Sequence, residues 1–142
     1  MMVDDKTAIE GSCLCNAVRF RVTGPIRAVV GCHCGQCRKQ TGHYMPATGT
    51  LLKYFDLLED RGLKWFAASK IAKRGFCGEC GSTLFWQANG ADRLAIAAGS
   101  IDGTTGVNTV AHIFVEDKGD YYQLDEALPQ FSQGDSGIPW PE

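Results

Sequence analysis

At 142 residues the chain has the size of one domain, and its 44% hydrophobic and 21% charged content is that of ordinary globular protein. A formal charge of −2 gives no basic field for nucleic acid or an anionic membrane, and no apolar run approaches the roughly 20 residues of a membrane span. The opening stretch Met1–Glu10 is polar and shows no export signal, so the seven thiols favour a reducing cytoplasm.

In chain order the local pattern is mostly β. Ala17–Val22 alternates apolar and basic residues, as a half-buried strand does. Ala28–Val30 leads into a cysteine cluster. Gln36–Thr41 and Leu51–Asp60 are the stretches that invite a helical reading, and neither has clean caps. Tyr44–Thr50, Leu63–Ala67, Ser82–Gln87, Arg93–Ala98 and Val110–Val115 read as short strands bounded by Gly, Asn or Asp. His112–Val115 and Asp120–Leu124 could pair as a hairpin across Asp117–Gly119. Ser132–Glu142, rich in Gly, Pro and Ser, reads as a loose tail with Trp140 as its one possible anchor. Many short strands with Gly-rich turns predict a single mainly β domain, an antiparallel sandwich or open barrel.

The seven cysteines form three clusters: Cys13-Leu-Cys15, Cys32-His-Cys34-Gly-Gln-Cys37 and Cys77-Gly-Glu-Cys80. Short Cys spacings bring thiolates close enough to share a tetrahedral zinc ion. Only one division keeps each cluster whole and fills a four-sulfur site: Cys13, Cys15, Cys77 and Cys80 together, with Cys32, Cys34 and Cys37 apart. A closed four-cysteine site is structural, whereas three protein ligands leave a position open, as catalytic zinc usually has it. The first zinc would staple the N-terminal segment to the middle of the chain. A secreted disulfide framework fits poorly with an odd count, a CxC disulfide would close a strained ring, and a redox CxxC lacks its βαβ setting.

In an extended Cys32-His-Cys34 the two sulfurs share a face and His33 points away. Cys37 returns through a turn at Gly35-Gln36. The glycines of Cys77-Gly-Glu-Cys80-Gly81 suit a zinc knuckle whose amide N–H groups spread the thiolate charge. Arg38, Lys39 and Arg74 are the cations nearest in sequence to the sulfurs.

The order of Gly11–Cys15, Cys32–Lys39 with Thr41-Gly42, Arg74–Phe85, Ala98-Gly-Ser-Ile-Asp102, His112-Ile-Phe114 and Leu128–Phe131 resembles the glutathione-dependent formaldehyde-activating enzyme family, which includes centromere protein V relatives. The resemblance covers residues 8–131 and matches all seven cysteines. It implies an Mss4-like β fold, a structural zinc on Cys13, Cys15, Cys77 and Cys80, and a catalytic zinc on Cys32, Cys34 and Cys37. It implies a carbon–sulfur lyase that joins glutathione to formaldehyde as S-hydroxymethylglutathione, with Arg38, Lys39 or Arg74 available to a substrate carboxylate. Three positions depart from the family pattern: Asn16 replaces a common glycine, Gly35 a common serine and Tyr121 a usual tryptophan.

Other residues read more plainly. His43 fits solvent or a turn, His112 a hydrogen-bonded place on an apolar strand, Phe85 and Trp86 the core, and Asp102 a turn. The rival to the enzyme is a non-catalytic zinc module that binds a protein partner. The open three-cysteine site favours the enzyme, because a scaffold has no need of a vacant coordination position.

Overall fold

The computed structural model describes residues 8–134 and 136–142. Of the polar N-terminal stretch, only residues 8–10 lie within that range. Among the described residues, ten strands and one α-helix follow in order: β1 (Ile9–Ser12), β2 (Arg19–Val22), β3 (Val29–Cys32), α1 (Gly35–Thr41), β4 (Met45–Leu51), β5 (Phe55–Glu59), β6 (Leu63–Phe66), β7 (Ala72–Cys77), β8 (Thr83–Ala88), β9 (Arg93–Ala97) and β10 (Thr109–Ile113).

The strands make two sheets. One has the order β1-β2-β5 and the other β10-β3-β4-β9-β8-β7-β6. Every pairing is antiparallel except β10 with β3. The mainly β, sandwich-like expectation holds. Alternation along β2 explains its place: Phe20 and Val22 are buried while Arg19 is exposed. Phe20 then joins the sheets, with its ring 5.6 Å from Phe55 of β5 and 5.5 Å from Phe85 of β8. Val18, Leu84, Leu94, Ile96 and Ile101 complete the core around them. Gly11 makes this approach possible, since a Cβ there would stand 2.4 Å from the Phe20 ring and 2.5 Å from the Ser100 carbonyl.

Three expectations are corrected, and one strand is found that the sequence reading did not include. Leu51–Asp60 forms a short 3-10 turn at Leu52–Tyr54 and then β5, because backbone pairing with β2 outweighs a weak helical pattern. The knuckle-bearing segment Ala72–Cys77 is itself a strand, β7, paired on both edges. The hairpin between His112–Val115 and Asp120–Leu124 does not form. The free edge of β10 is taken by the chain near Gln130, where His112 N–H donates to the Pro129 carbonyl and Phe131 N–H to the His112 carbonyl. Phe114 adopts a left-handed conformation (φ 55°) to leave β10 into a 3-10 turn.

The third correction is the C-terminal segment, which lies against the body. The Arg27 guanidinium donates to the Ile138 carbonyl at 2.6 Å, and the Tyr54 hydroxyl to a terminal oxygen of Glu142 at 2.7 Å. Trp140 stacks with Arg27 and Arg93 (4.6 and 4.9 Å to the ring) over Gly49, where a Cβ would clash with the indole.

Candidate metal centre

Two tight turns assemble the first sulfur group. Cys13 and Cys15 follow β1, and the turn between β1 and β2 holds Asn16 at φ 67°, a conformation glycine adopts freely. Cys77 ends β7, and its sulfur accepts from the N–H groups of Glu79 and Cys80 at 3.4 Å. Val18 N–H donates to the Cys13 sulfur at 3.2 Å, and Ser82 Oγ stands 3.2 Å from the Cys80 sulfur. Cys15 lies 3.8 Å from both Cys13 and Cys77. A tetrahedron with Zn–S bonds of about 2.3 Å has edges of about 3.8 Å. The four sulfurs all lie within 4.8 Å of one another, so Cys13, Cys15, Cys77 and Cys80 could hold one metal ion.

Cys32, Cys34 and Cys37 form the second group, also within 4.8 Å of one another and with no fourth His, Cys, Asp or Glu donor in the set among the described residues. Cys32 ends β3. Cys34 is the N-cap of α1, its sulfur accepting the Cys37 N–H at 3.3 Å. Cys37 is buried on the inner face of α1, while Cys32 and Cys34 are half-buried.

Arg74 backs this group. It is only 5% exposed, and its guanidinium lies 3.5 Å from the Cys37 sulfur and 3.9 Å from that of Cys34. Gln36 and Gln40 accept its remaining N–H groups at 3.0–3.3 Å. Its position follows from β7, which places it opposite Trp86. The Cys34 thiol is held far below the ordinary range, first by accepting from Cys32 and Cys37 and further by the charge of Arg74. Cys32 is pushed far up, chiefly by donating to Cys34 and Cys37 and then by burial. A soft cation bound by these three sulfurs would displace their remaining thiol protons. The donor chemistry and spacing of both groups fit zinc.

The expected cations separate. Arg38 and Lys39 are exposed on the last turn of α1, while Arg74 is buried and engaged with sulfurs and amides. Lys39 lines an open hollow of about 480 Å³ that also touches Arg74.

His33 does point away from the sulfurs. It is fully buried, with Nε2 2.9 Å from His112 Nδ1 and Nδ1 hydrogen-bonded to the Tyr122 hydroxyl. Burial first, and then the nearby charges of His112, His43 and Lys118, lower its pKa to about 4. Burial lowers that of His112 as well. His43 is exposed, with its ring 4.3 Å from that of Tyr122. Phe85 is core, whereas Asp102 is exposed. Tyr122, Gln36 and Gln40 had no sequence signal as site residues. The first meets His33 across 89 positions, and the amides become relevant only because β7 delivers Arg74 to α1.

A solved structure of a Rhodobacter sphaeroides protein shares the fold, with a TM-score of 0.57 at 20% identity over 71% of this chain and 99% of that one. A Schizosaccharomyces pombe protein named as an uncharacterised lyase is 28% identical over 124 residues, 87% of this chain and 90% of its own length. The family model described as glutathione-dependent formaldehyde-activating enzyme matches residues 8–117, a span that contains both sulfur groups and Arg74. The chain therefore belongs to the glutathione-dependent formaldehyde-activating enzyme family.

Proposed function

We propose that this protein is a zinc-dependent carbon–sulfur lyase that interconverts a small thiol such as glutathione plus formaldehyde, or another small aldehyde, with the S-hydroxymethyl adduct. The family supports that class of chemistry. The observation that carries the reading is the three-sulfur group, half-buried and backed by Arg74. Cys13, Cys15, Cys77 and Cys80 would hold a structural zinc; Cys32, Cys34 and Cys37 would hold the reactive one. Zinc with three thiolate ligands and a free position supplies a Lewis acid for a thiolate or a carbonyl oxygen.

The chain's own residues do the rest. Arg74 offsets thiolate charge on Cys34 and Cys37. That makes the neighbourhood less hostile to a further thiolate, the nucleophilic form of the substrate. Lys39, and Arg38 on the same turn, offer charge to a substrate carboxylate. In the forward direction the substrate sulfur forms a bond to the aldehyde carbon. The carbonyl π pair moves to oxygen, and that oxygen takes up the proton the thiol gave up. Such thiol chemistry suits the reducing cytoplasm.

The uncatalysed reaction is itself quick, so the test compares wild type with Cys34→Ser at equal zinc and protein. NMR exchange spectroscopy measures both directions at equilibrium, where product trapping cannot imitate turnover. Faster exchange with wild type is expected. Equal exchange across a panel of small thiols would overturn the activity and leave a zinc-binding interaction module as the reading.

A further inference from the structure

The two sheets end in four edge strands, and among the described residues two of these edges are closed by the chain itself. The free edge of β10 is taken near Gln130, and β1 is bridged at Gly11 by Ile101. β5 and β6 have no strand on their outer edges. These two strands are consecutive, joined by the turn Asp60-Arg61-Gly62. Each sends a ring to the same core residue, with Phe55 and Trp65 lying 5.5 and 6.1 Å from the Phe85 ring. The two open edges therefore stand beside each other.

The same part of the chain holds most of the exposed apolar surface. Of the eight large hydrophobic residues exposed among the described residues, six are Leu52, Leu57, Leu58, Trp65, Phe66 and Ile71. Phe66 is 63% exposed and Ile71 71%. Apolar exposure gathered in one place marks an interaction surface, whereas single scattered residues do not. The charges around it divide by strand. Asp56 and Asp60 lie on β5 and just after it, while Lys64 and Lys70 lie on β6 and in the loop that follows. None of the four makes an ion pair or a side-chain hydrogen bond among the described residues. Lys73 adds to the basic half, with Nζ 4.3 Å from the Trp65 ring, and no Asp or Glu occurs from Arg61 to Gly78.

Charges on an edge strand normally keep a second copy of that strand away. Here one edge is acidic and the other basic, so that protection fails against a copy turned by a two-fold axis. A two-fold interface needs a patch complementary to itself, and a patch with opposite signs in separate halves is one. A lipid bilayer or a nucleic acid would match only the basic half and be repelled by the other. We infer that the β5–β6 side is the interface of a two-fold homodimer, in which the acidic edge of each protomer meets the basic edge of the other around the shared apolar patch. Phe66 also lines the hollow that touches Lys39 and Arg74, so the interface borders that hollow.

Sedimentation equilibrium of the zinc-loaded full-length protein tests this, with circular dichroism as the control for folding. Wild type should be a dimer at micromolar concentration. Two double variants each reverse one half of the patch: Asp56→Lys with Asp60→Lys, and Lys64→Glu with Lys70→Glu. Each alone should dimerise about a hundredfold more weakly, because like charges then meet at both contacts. An equimolar mixture of the two should associate as a heterodimer with wild-type affinity, since acid again faces base at both contacts. Phe66→Ser leaves the charges alone and should weaken the dimer at least about tenfold. It keeps the test decisive if a charge variant misfolds. A monomeric wild type would overturn the inference. So would a dimer that Phe66→Ser or a folded double variant leaves unchanged, because the interface then lies elsewhere. A mixture that stays monomeric would overturn the acid-to-base arrangement, and the two-fold assignment with it.

Discussion

Arg74 and His33 both lie next to the three-sulfur group and face different partners. Arg74 meets the sulfurs directly, so Arg74→Gln removes charge compensation while keeping a hydrogen-bonding side chain. Zinc affinity at that group should fall about 10–100-fold, the usual cost of losing a partner that supports ligands. Chelator competition would show it, with the four-sulfur group unchanged as the internal control. His33 and His112 form a buried hydrogen-bonded pair, with Tyr122 on the first and Tyr44 packed beside both. Their pKa values are lowered in the folded state by burial, against a weak opposing pull from Asp125 on His112. The unfolded chain therefore takes up protons near the ordinary value of about 6.5 while the folded chain does not. Stability is thus lost as pH falls through that value, by at most about 1.4 kcal/mol per pH unit for each histidine. Urea unfolding at pH 7 and pH 5 should show a smaller loss for His112→Gln than for wild type. Equal losses would remove the histidine pair as the cause.

Strand and turn pairings give the two cysteine groups unequal structural weight. The four-sulfur group joins the turn after β1, in the three-stranded sheet, to the end of β7, in the seven-stranded one. The three-sulfur group is local to the β3–α1 connection, and β3 is held by β4 and β10 in any case. Cys77→Ser should therefore lower the thermal midpoint sharply or prevent folding, since metal binding there couples to the closing of distant segments. Cys34→Ser should remain folded and carry one zinc fewer per chain than wild type by elemental analysis. A folded Cys77→Ser beside an unfolded Cys34→Ser would reverse the division. The same pairings show why some elements were hard to read. Ala72–Cys77 contains Lys, Arg and Gly, and its burial is set by β6 and β8 on either side rather than by its own alternation. Leu51–Asp60 carries apolar residues at spacings that suit a helix, yet β2 offers it an edge and the ladder of hydrogen bonds decides.

At the scale of the whole molecule, the C-terminal segment is held to the body by the Trp140 ring together with hydrogen bonds at Ile138 and Glu142. Trp140→Ala would lose two guanidinium stacks and the indole's cover over Gly49, and should cost about 1–3 kcal/mol of stability in urea unfolding. Zinc content should be unaffected, because among the described residues no hydrogen bond joins the segment to either sulfur group; a change in metal content would mean that the segment supports a site. The sequence alone determined how the cysteines divide into a group of four and a group of three, since clusters of two, three and two admit one whole-cluster solution, and thiol spacing within a turn is a local property of the backbone. It determined the β class, because alternation in segments such as Ala17–Val22 is local as well. It also placed His33 off the face that carries the sulfurs, through the period of two in an extended Cys32-His-Cys34. Only the tertiary structure decided what surrounds those sulfurs. Arg74 could have faced a substrate or the metal group, and it faces the sulfurs because β7 crosses behind α1. Tyr122 meets His33, and Trp140 meets Arg27 and Arg93, across 47 to 113 positions of chain. Such contacts depend on which strands lie adjacent in the sheets, and no local pattern records that.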